Sequence, residues 1–372
     1  MSSLESIQQC LTNRLDRRSR EVRWLTGLLG QEPSRDAKAP SVWNPALRSV
    51  GVDAWYQPFD VAAANLPRFL EAARACDHVK GFNVVAPYKE TIIPLLDEVE
   101  PQASRIGVVD TIVRTEGGRL IGSNAEGAGI LACLLCPRYN EPASFIEESR
   151  GLAGMKVLLL GAGCTARALA WPLAQAVGPG HLYLANRTRE KAETLARALA
   201  PSCLNVTCLD ETALETVAPL AGLIINATTK GQAGFWTLPD GMMTCLEPYS
   251  ALAPANPVSL PRDLAKDSVQ FYQQWYRASL PDISANLERS SRLMGMVPES
   301  VRFVDCVSAP AESVLLRQAH RSGHRTMNGK GIRICQIADC LFHKLFRDDL
   351  ERSGRYGPDL YRRLIEQIWA AW

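Results

Sequence analysis

The sequence predicts an α/β protein of two units, the second built on a parallel sheet. Three observations carry that reading. Apolar strand-like runs alternate with amphipathic helical patterns along most of the chain, which is the signature of a helix-covered parallel sheet. One such run, residues 156–160, leads directly into a glycine-rich turn and then a helix. The chain has 372 residues, 47% hydrophobic and 22% charged, enough for two well-cored domains and not the composition of a disordered protein.

In chain order, Leu4, Ile7, Leu11 and Leu15 fall on one helical face, so a helix is expected ahead of the first unit. Strands are then expected at residues 23–29, 54–58 and 81–85, with helices at 40–50 and 61–76. The middle third reads strand 156–160, turn Gly161-Ala162-Gly163-Cys164-Thr165-Ala166, and a helix through Leu169, Leu173 and Val177. A strand at 181–185, a helix at 189–199, a strand around Val206 and strands at 222–226 and 302–307 complete the sheet. Residues 234–300 form a segment rich in proline and aromatics. A structureless loop of that length is improbable in a compact domain, and Leu264, Ser268, Phe271, Tyr272 and Trp275 carry helical spacing, so a helix is expected there. Domain boundaries are set at 1–124 with 328–372 for the first unit and 125–327 for the second.

Charge and composition narrow the partners. Lys and Arg total 41 against 39 Asp and Glu, a formal charge of +2, which argues against a nucleic-acid or anionic-membrane partner. No apolar run reaches the length of a membrane span, and the first twenty residues lack the apolar stretch of a secretory signal, so a cytoplasmic protein is expected. The eleven cysteines are an odd number set in apolar surroundings, and read as reduced core residues. Cys133 and Cys136 form a CxxC without a second pair, inside an apolar helical run, and the five histidines lack ligand spacing; no metal is expected. The expected partner is a small molecule, and the chain is expected to be a monomer or homodimer.

The glycine-rich turn is a dinucleotide site in its proper context. Gly161 permits the tight turn, Gly163 admits a pyrophosphate to the backbone, and Ala166 keeps the helix close to the sheet. Cys164 and Thr165 supply amides at the helix start. The second strand ends in Asn186-Arg187-Thr188 rather than in a carboxylate. A carboxylate would repel a ribose 2′-phosphate, whereas a guanidinium can pair with it, so NADP is expected over NAD.

Five further strings occur in order: GFNVVAPYKE (81–90), IGVVDT (106–111), IGSNAEG (121–127), NATTKG (226–231) and NGKGIRICQ (328–336). Together with the glycine-rich turn they resemble the shikimate/quinate dehydrogenase family over nearly the whole chain. The resemblance implies an N-terminal α/β domain that binds a cyclic polyol acid, an NADP-binding Rossmann domain, and C-terminal helices returning to the first domain. It places the catalytic lysine at Lys89 and its acidic partner at Glu126, where the family usually has Asp. It puts Asn83, Asn124 and Gln336 among the substrate contacts, and Asn226 and Thr228 in the cofactor loop. A lysine ammonium can protonate the oxygen of a ketone as hydride reaches its carbon, and burial is expected to lower its pKa so that it can work in reverse.

The departures gather at the substrate end. The family's first loop commonly reads SxSPxxHN; here residues 37–44 read AKAPSVWN, so Ala37 and Ala39 replace two hydroxyls and Trp43 replaces a histidine. Val85 stands for a threonine, Asp110 for an asparagine and Ser308 for a tyrosine. Each lost partner of a buried polar group costs about 1–3 kcal/mol. Asp110 is expected to face the substrate, and Lys38 is a candidate cation for it. Phe235, Trp236, Tyr272 and Trp275 form a lid or aromatic wall, or pack as a surface helical hairpin or a subunit contact. The expectation is an NADP-dependent oxidoreductase, acting on the carbonyl or hydroxyl of a small acid-like substrate other than shikimate. An authentic shikimate or quinate dehydrogenase and a catalytically silent ligand-binding protein are the alternatives.

Overall fold

A computed structural model describes residues 3–35, 38–135, 144–147, 151–200, 205–238, 240–264 and 268–372. The chain divides into two compact units, one of Met1–Ser144 with Ile332–Trp372 and one of Phe145–Gly331. Residues 125–135 and Ser144, which the sequence reading grouped with the second unit, fall in the first, and residues 328–331, grouped with the first, fall in the second.

Unit 1 opens with α1 (Ser3–Gln8), β1 (Trp24–Gly30), α2 (Ala39–Ser49), β2 (Ala54–Asp60), α3 (Leu66–Arg74) and β3 (Val79–Val84). There follow the one-turn α4 (Tyr88–Thr91), β4 (Glu98–Val99), α5 (Pro101–Ile106), β5 (Thr111–Arg114), β6 (Leu120–Ser123) and α6 (Glu126–Leu135). The six strands make one sheet in the order β2-β1-β3-β5-β6-β4. The first three are parallel and β5 is antiparallel to both its neighbours. Both faces of this sheet are covered, which fits the burial of nearly every residue of β1 and β3. Phe59, Phe69 and Phe82 cluster on one face with Leu25 and Leu29. Trp43, Leu47 and Tyr56 lie on the other, with Leu341, Phe342 and Phe346 from the end of the chain.

The first helix is shorter than its periodicity suggests. Leu4 and Ile7 are buried, but the helix ends at Gln8 and Leu11 and Leu15 pack from an irregular segment. The cause is an edge strand. Thr12 donates its amide to the Asp60 carbonyl at 2.8 Å, and Asn13 bonds the Asp60 amide and the Pro58 carbonyl at 3.0 Å each, so the chain lies along β2 instead of continuing the helix.

Unit 2 consists of β7 (Lys156–Leu160), α7 (Cys164–Val177), β8 (His181–Ala185), α8 (Arg189–Leu199), β9 (Val206–Leu209), α9 (Leu214–Val217) and β10 (Leu223–Asn226). It continues with β11 (Phe235–Thr237), β12 (Met242–Cys245), β13 (Leu260–Pro261), α10 (Ser268–Met294), β14 (Arg302–Asp305), α11 (Val314–Arg321) and β15 (Thr326–Met327). Six strands form a parallel sheet in the order β15-β14-β10-β7-β8-β9. That is the doubly wound order, with its reversal between β7 and β10.

The 234–300 segment has a structure of its own. β11, β12 and β13 make a small antiparallel sheet, and α10 runs 27 residues beside a core of Tyr249, Phe271, Trp275 and Ile283. Helical spacing had suggested a start at Leu264, whereas α10 begins at Ser268. Of the four aromatics left open between lid and packing, Phe235 meets Phe271 edge-on at 4.9 Å. Trp275 is fully buried, its indole N–H donating to the Val258 carbonyl at 2.7 Å. Phe235, Tyr272 and Trp275 pack on one another within unit 2.

The chain then returns to unit 1 through α12 (Gly329–Asp339), a π-helical stretch at Cys340–Leu345, α13 (Arg347–Arg352) and α14 (Pro358–Ala371). No helix among the described residues is long and apolar enough to cross a membrane. Ala37 and Cys136 lie outside the described residues; Cys133 is buried in α6.

Candidate active site

Lys89 sits on α4, the single turn after β3. The turn is anchored by Tyr88, whose hydroxyl donates to the buried Val61 carbonyl at 2.6 Å, and the Lys89 carbonyl accepts from the Val109 amide at 2.8 Å. Glu126 is the first residue of α6, directly after β6. The two side chains meet: Lys89 Nζ lies 3.0 Å from Glu126 Oε2, with only 12% and 5% of the side chains exposed.

Asp110 completes this cluster and also caps a helix. It is buried, and its carboxylate accepts from the Ala125 and Glu126 amides at 2.9 Å each and from the Thr111 hydroxyl at 2.8 Å. A carboxylate on those amides caps the start of α6 and satisfies donors that a helix leaves unpaired. Asp110 thus holds the helix that carries Glu126 in place, with its lone pairs committed to that task. Burial pushes its carboxyl above the ordinary aspartate value, against the pull of Lys89.

The ammonium also differs from the expectation of a lowered pKa. Burial is the largest single influence and pushes Lys89 down, but Glu126 and Asp110 together outweigh it and hold the amine above the ordinary lysine value. Lys89 is therefore a cation across the neutral range.

The amides predicted around the pair are brought to the same unit. Asn124, just ahead of α6, donates to the Val108 carbonyl at 3.3 Å and accepts from the Gly127 amide at 3.4 Å. Gln336, on α12, donates to Asp110 at 3.4 Å. Asn83, on β3, accepts from the Tyr56 hydroxyl at 3.1 Å and donates to Cys340 Sγ at 3.1 Å. Tyr56 in turn stacks on Trp43 at 4.5 Å. Trp43 is 3% exposed and belongs to the core. Lys38 is exposed at the start of α2.

Two polar residues of unit 1 were missed in the sequence. Asn44 bonds both the amide and the carbonyl of Tyr56, at 2.8 and 2.9 Å, fixing α2 to the sheet. Arg333, one turn before Gln336 on α12, is exposed and electrostatically coupled to Lys89. The period-3 spacing of Arg333 and Gln336 was the signal available for it.

In unit 2 the glycine-rich turn joins β7 to α7 at the reversal of strand order. Gly161 has φ +110°, and a Cβ there would lie 3.0 Å from the Ala227 carbonyl oxygen, so a side chain would be strained and crowded. Gly163 caps α7 without a side-chain bond, and a Cβ there would meet nothing within 4 Å. The turn leaves open space in front of the start of α7, where the helix dipole favours an anion. Ala166 itself is fully buried and Ala162 nearly so.

Asn186, Arg187 and Thr188 follow β8. Asn186 donates to the Thr188 carbonyl at 2.7 Å and shapes the turn, while Arg187 is exposed. Arg189, by contrast, is tied to Glu193 at 3.0 Å. In the loop after β10, Asn226 is fully buried. It accepts from Thr228 N and Oγ1 and donates to Asp305 and the Lys230 carbonyl, so both Asn226 and Thr228 shape the loop from within. Lys230 is locked between Glu211, at 2.9 Å, and the Ala253 carbonyl.

A buried lysine–carboxylate pair in one α/β unit and a phosphate-type turn at the reversal point of a doubly wound sheet in the other define a Rossmann-type oxidoreductase of two domains. Residues 29–112 match the family model for the shikimate dehydrogenase substrate binding domain, and residues 145–284 that for shikimate / quinate 5-dehydrogenase. The shikimate dehydrogenase (NADP(+)) of Symbiobacterium thermophilum is 31% identical over 340 residues, 90% of each chain. That of Moorella thermoacetica is 40% identical over 210 residues, 56% of this chain and 66% of the relative.

The chain belongs to the shikimate/quinate dehydrogenase family. Solved structures share its fold. Shikimate 5-dehydrogenase from Listeria monocytogenes superimposes with a TM-score of 0.64 at 22% identity, covering 92% of this chain and 98% of that one. The 5-ketofructose reductase of a Gluconobacter strain does so with 0.62 at 23% identity, covering 94% and 99%.

Proposed function

We propose that this protein is an NADP-dependent oxidoreductase that reduces the carbonyl, or oxidises the hydroxyl, of a small hydroxylated acid other than shikimate. The observation that carries the reading is the Lys89–Glu126 pair, 3.0 Å apart and nearly dry, in the position where the family resemblance puts the proton-transferring lysine. The open turn at Gly163, the helix start at Cys164–Ala166 and the exposed Arg187 fit a dinucleotide carrying a 2′-phosphate. In that fit the helix amides hold the pyrophosphate, and Arg187 supplies the paired charge that a carboxylate would deny. The bound dinucleotide supplies or accepts the hydride.

The chain's own residues handle the proton. In the reductive direction Lys89 Nζ donates a proton to the substrate oxygen, which needs the ammonium form that Glu126 and Asp110 maintain. Glu126 orients the amine and stabilises the cation before transfer. In the oxidative direction the same nitrogen must first be neutral, and the carboxylates oppose this, so the site favours reduction near neutral pH. The substrate differs from shikimate on this reading because Ala39 and Val85 offer no hydroxyl where the family resemblance expects one.

The test is NADPH oxidation against a panel of small cyclic and open-chain hydroxyketones. Turnover lost in Lys89→Met supports the proposal; absence of any Lys89-dependent oxidation despite cofactor binding overturns it and favours a silent ligand-binding protein. A second reading, authentic shikimate dehydrogenase, is favoured by the 31% identity that extends over 90% of the Symbiobacterium enzyme. Efficient turnover of shikimate, with quinate assayed alongside, selects it.

A further inference from the structure

A second cation on α12, Arg333, acts through space on Lys89, and the proton chemistry does not employ it. We propose that Arg333 is the residue that recognises the substrate's charged group, and that this group is a carboxylate, so that the site takes a monoanionic hydroxyketone in preference to a neutral one. The inference rests on the dehydrogenase reading for the reaction, but on its own observations for the residue.

The first is placement. Arg333 and Gln336 are three residues apart on α12 and share a face. Gln336 reaches Asp110 at 3.4 Å, and Asp110 caps the helix that begins with Glu126. The backbones of the two helices touch at this level, because a Cβ on Gly129 would fall 2.8 Å from the Gln336 Cα. Arg333 is thus one turn along α12 from the point where that helix meets the Lys89–Glu126 cluster. The guanidinium and the Lys89 ammonium oppose each other, Arg333 being the one cation among the leading influences on that amine.

The second is availability. Arg333 is exposed, and makes no hydrogen bond or ion pair with any described residue. The nearby carboxylates are engaged, Glu126 with Lys89 and Asp110 with the α6 amides. A planar guanidinium fork without a partner, within electrostatic reach of an ammonium, is repelled by it until an oxyanion binds, and bidentate pairing with a carboxylate relieves the repulsion. Glu126 and Asp110 would repel a phosphate dianion more strongly than a carboxylate, which decides between the two.

The experiment is calorimetric binding to the full chain, without dinucleotide, of the hydroxyketone acids of the cyclic and open-chain panel and of their methyl esters, with shikimate and methyl shikimate alongside. The acids are expected to bind at least tenfold more tightly than their esters. Arg333→Gln should abolish that preference without moving the melting temperature, and Arg333→Lys should keep part of it. Equal affinity for acid and ester, no binding of any acid of the panel, or acid binding by Arg333→Gln at the wild-type level would overturn the assignment. Turnover measured alongside separates the two readings. Lys89-dependent NADPH oxidation indifferent to substrate charge retains the reductase and removes Arg333. Acid binding that depends on Arg333, with no turnover of any ketone, retains Arg333 and removes the reductase.

Discussion

Replacing Lys89 by Met, Glu126 by Gln, and both together tests the central pair by a double-mutant cycle. At 3.0 Å and an effective dielectric of about 20, their attraction is about 5 kcal/mol before desolvation is counted. Removing one member of a buried pair costs about 3–5 kcal/mol, because the other charge is left without a counter-ion. Lys89→Met should fall at the upper end, since it leaves Glu126 and Asp110 as neighbouring buried carboxylates with no cation between them. Glu126→Gln should fall at the lower end, since Asp110 still attracts the ammonium. The double variant should cost less than the sum of the singles by about 2–3 kcal/mol, the size of coupling seen for contacting residues. For a unit of this size each kcal/mol moves the melting temperature by about 2–4 °C, so scanning calorimetry resolves every corner of the cycle. The pH dependence follows from the raised lysine pKa. Its contribution is whole below the ordinary lysine value and is lost only as pH rises through the higher folded value. The coupling should therefore be the same at pH 7 and pH 9. A coupling within about 0.5 kcal/mol of zero, or one that fades between those two pH values, would refute the reasoning.

Arg187→Gln should weaken NADPH about 10- to 100-fold, the worth of hydrogen bonds to a charged group, and leave NADH unchanged; equal losses for both cofactors in steady-state assays would remove Arg187 from the 2′-phosphate. The two glycines of the turn should separate. Gly161→Ala is strained at φ +110° and should cost about 1–3 kcal/mol of unit 2 stability. Gly163→Ala, at φ −78° with nothing near its Cβ, should melt as the wild type yet bind dinucleotide more than tenfold less tightly in a fluorescence titration. Trp275→Ala should destabilise the aromatic core beside α10 by about 3–5 kcal/mol while leaving turnover per folded molecule unchanged; lost turnover without lost stability would revive the lid.

What could be read from the sequence was what local physics decides. The strand runs, the turn at Gly161–Ala166 and the helix of residues 189–199 depend on periodicity and on glycine geometry, and they fold where the pattern puts them. Lys89 and Glu126 were singled out through the family resemblance, and the fold brings them within a hydrogen bond of each other. The rest depends on residues distant in the chain. The capping bonds of Asp110 were not legible, because nothing local reveals that the amides of Ala125 and Glu126, fifteen and sixteen residues on, would meet its oxygens. The direction of the Lys89 shift could not be read from burial alone, since it results from two carboxylates that become neighbours only in the fold. The first helix stopped early for the same reason: Asn13 found partners on β2, some forty-five residues away.

The discontinuity of unit 1 has a consequence for how the protein is made. Its second core unites Val42, Trp43, Leu47 and Tyr56 with Ile334, Leu341, Phe342, Leu364 and Ile368. On the ribosome the early segment emerges long before those partners, and the whole of unit 2 is translated in between. The nucleotide-type half can close while synthesis continues; the half bearing Lys89 must keep an apolar face waiting until the final helices arrive. A nascent chain stalled before residue 332 should therefore recruit chaperones through that exposed face, even with its Rossmann half already native.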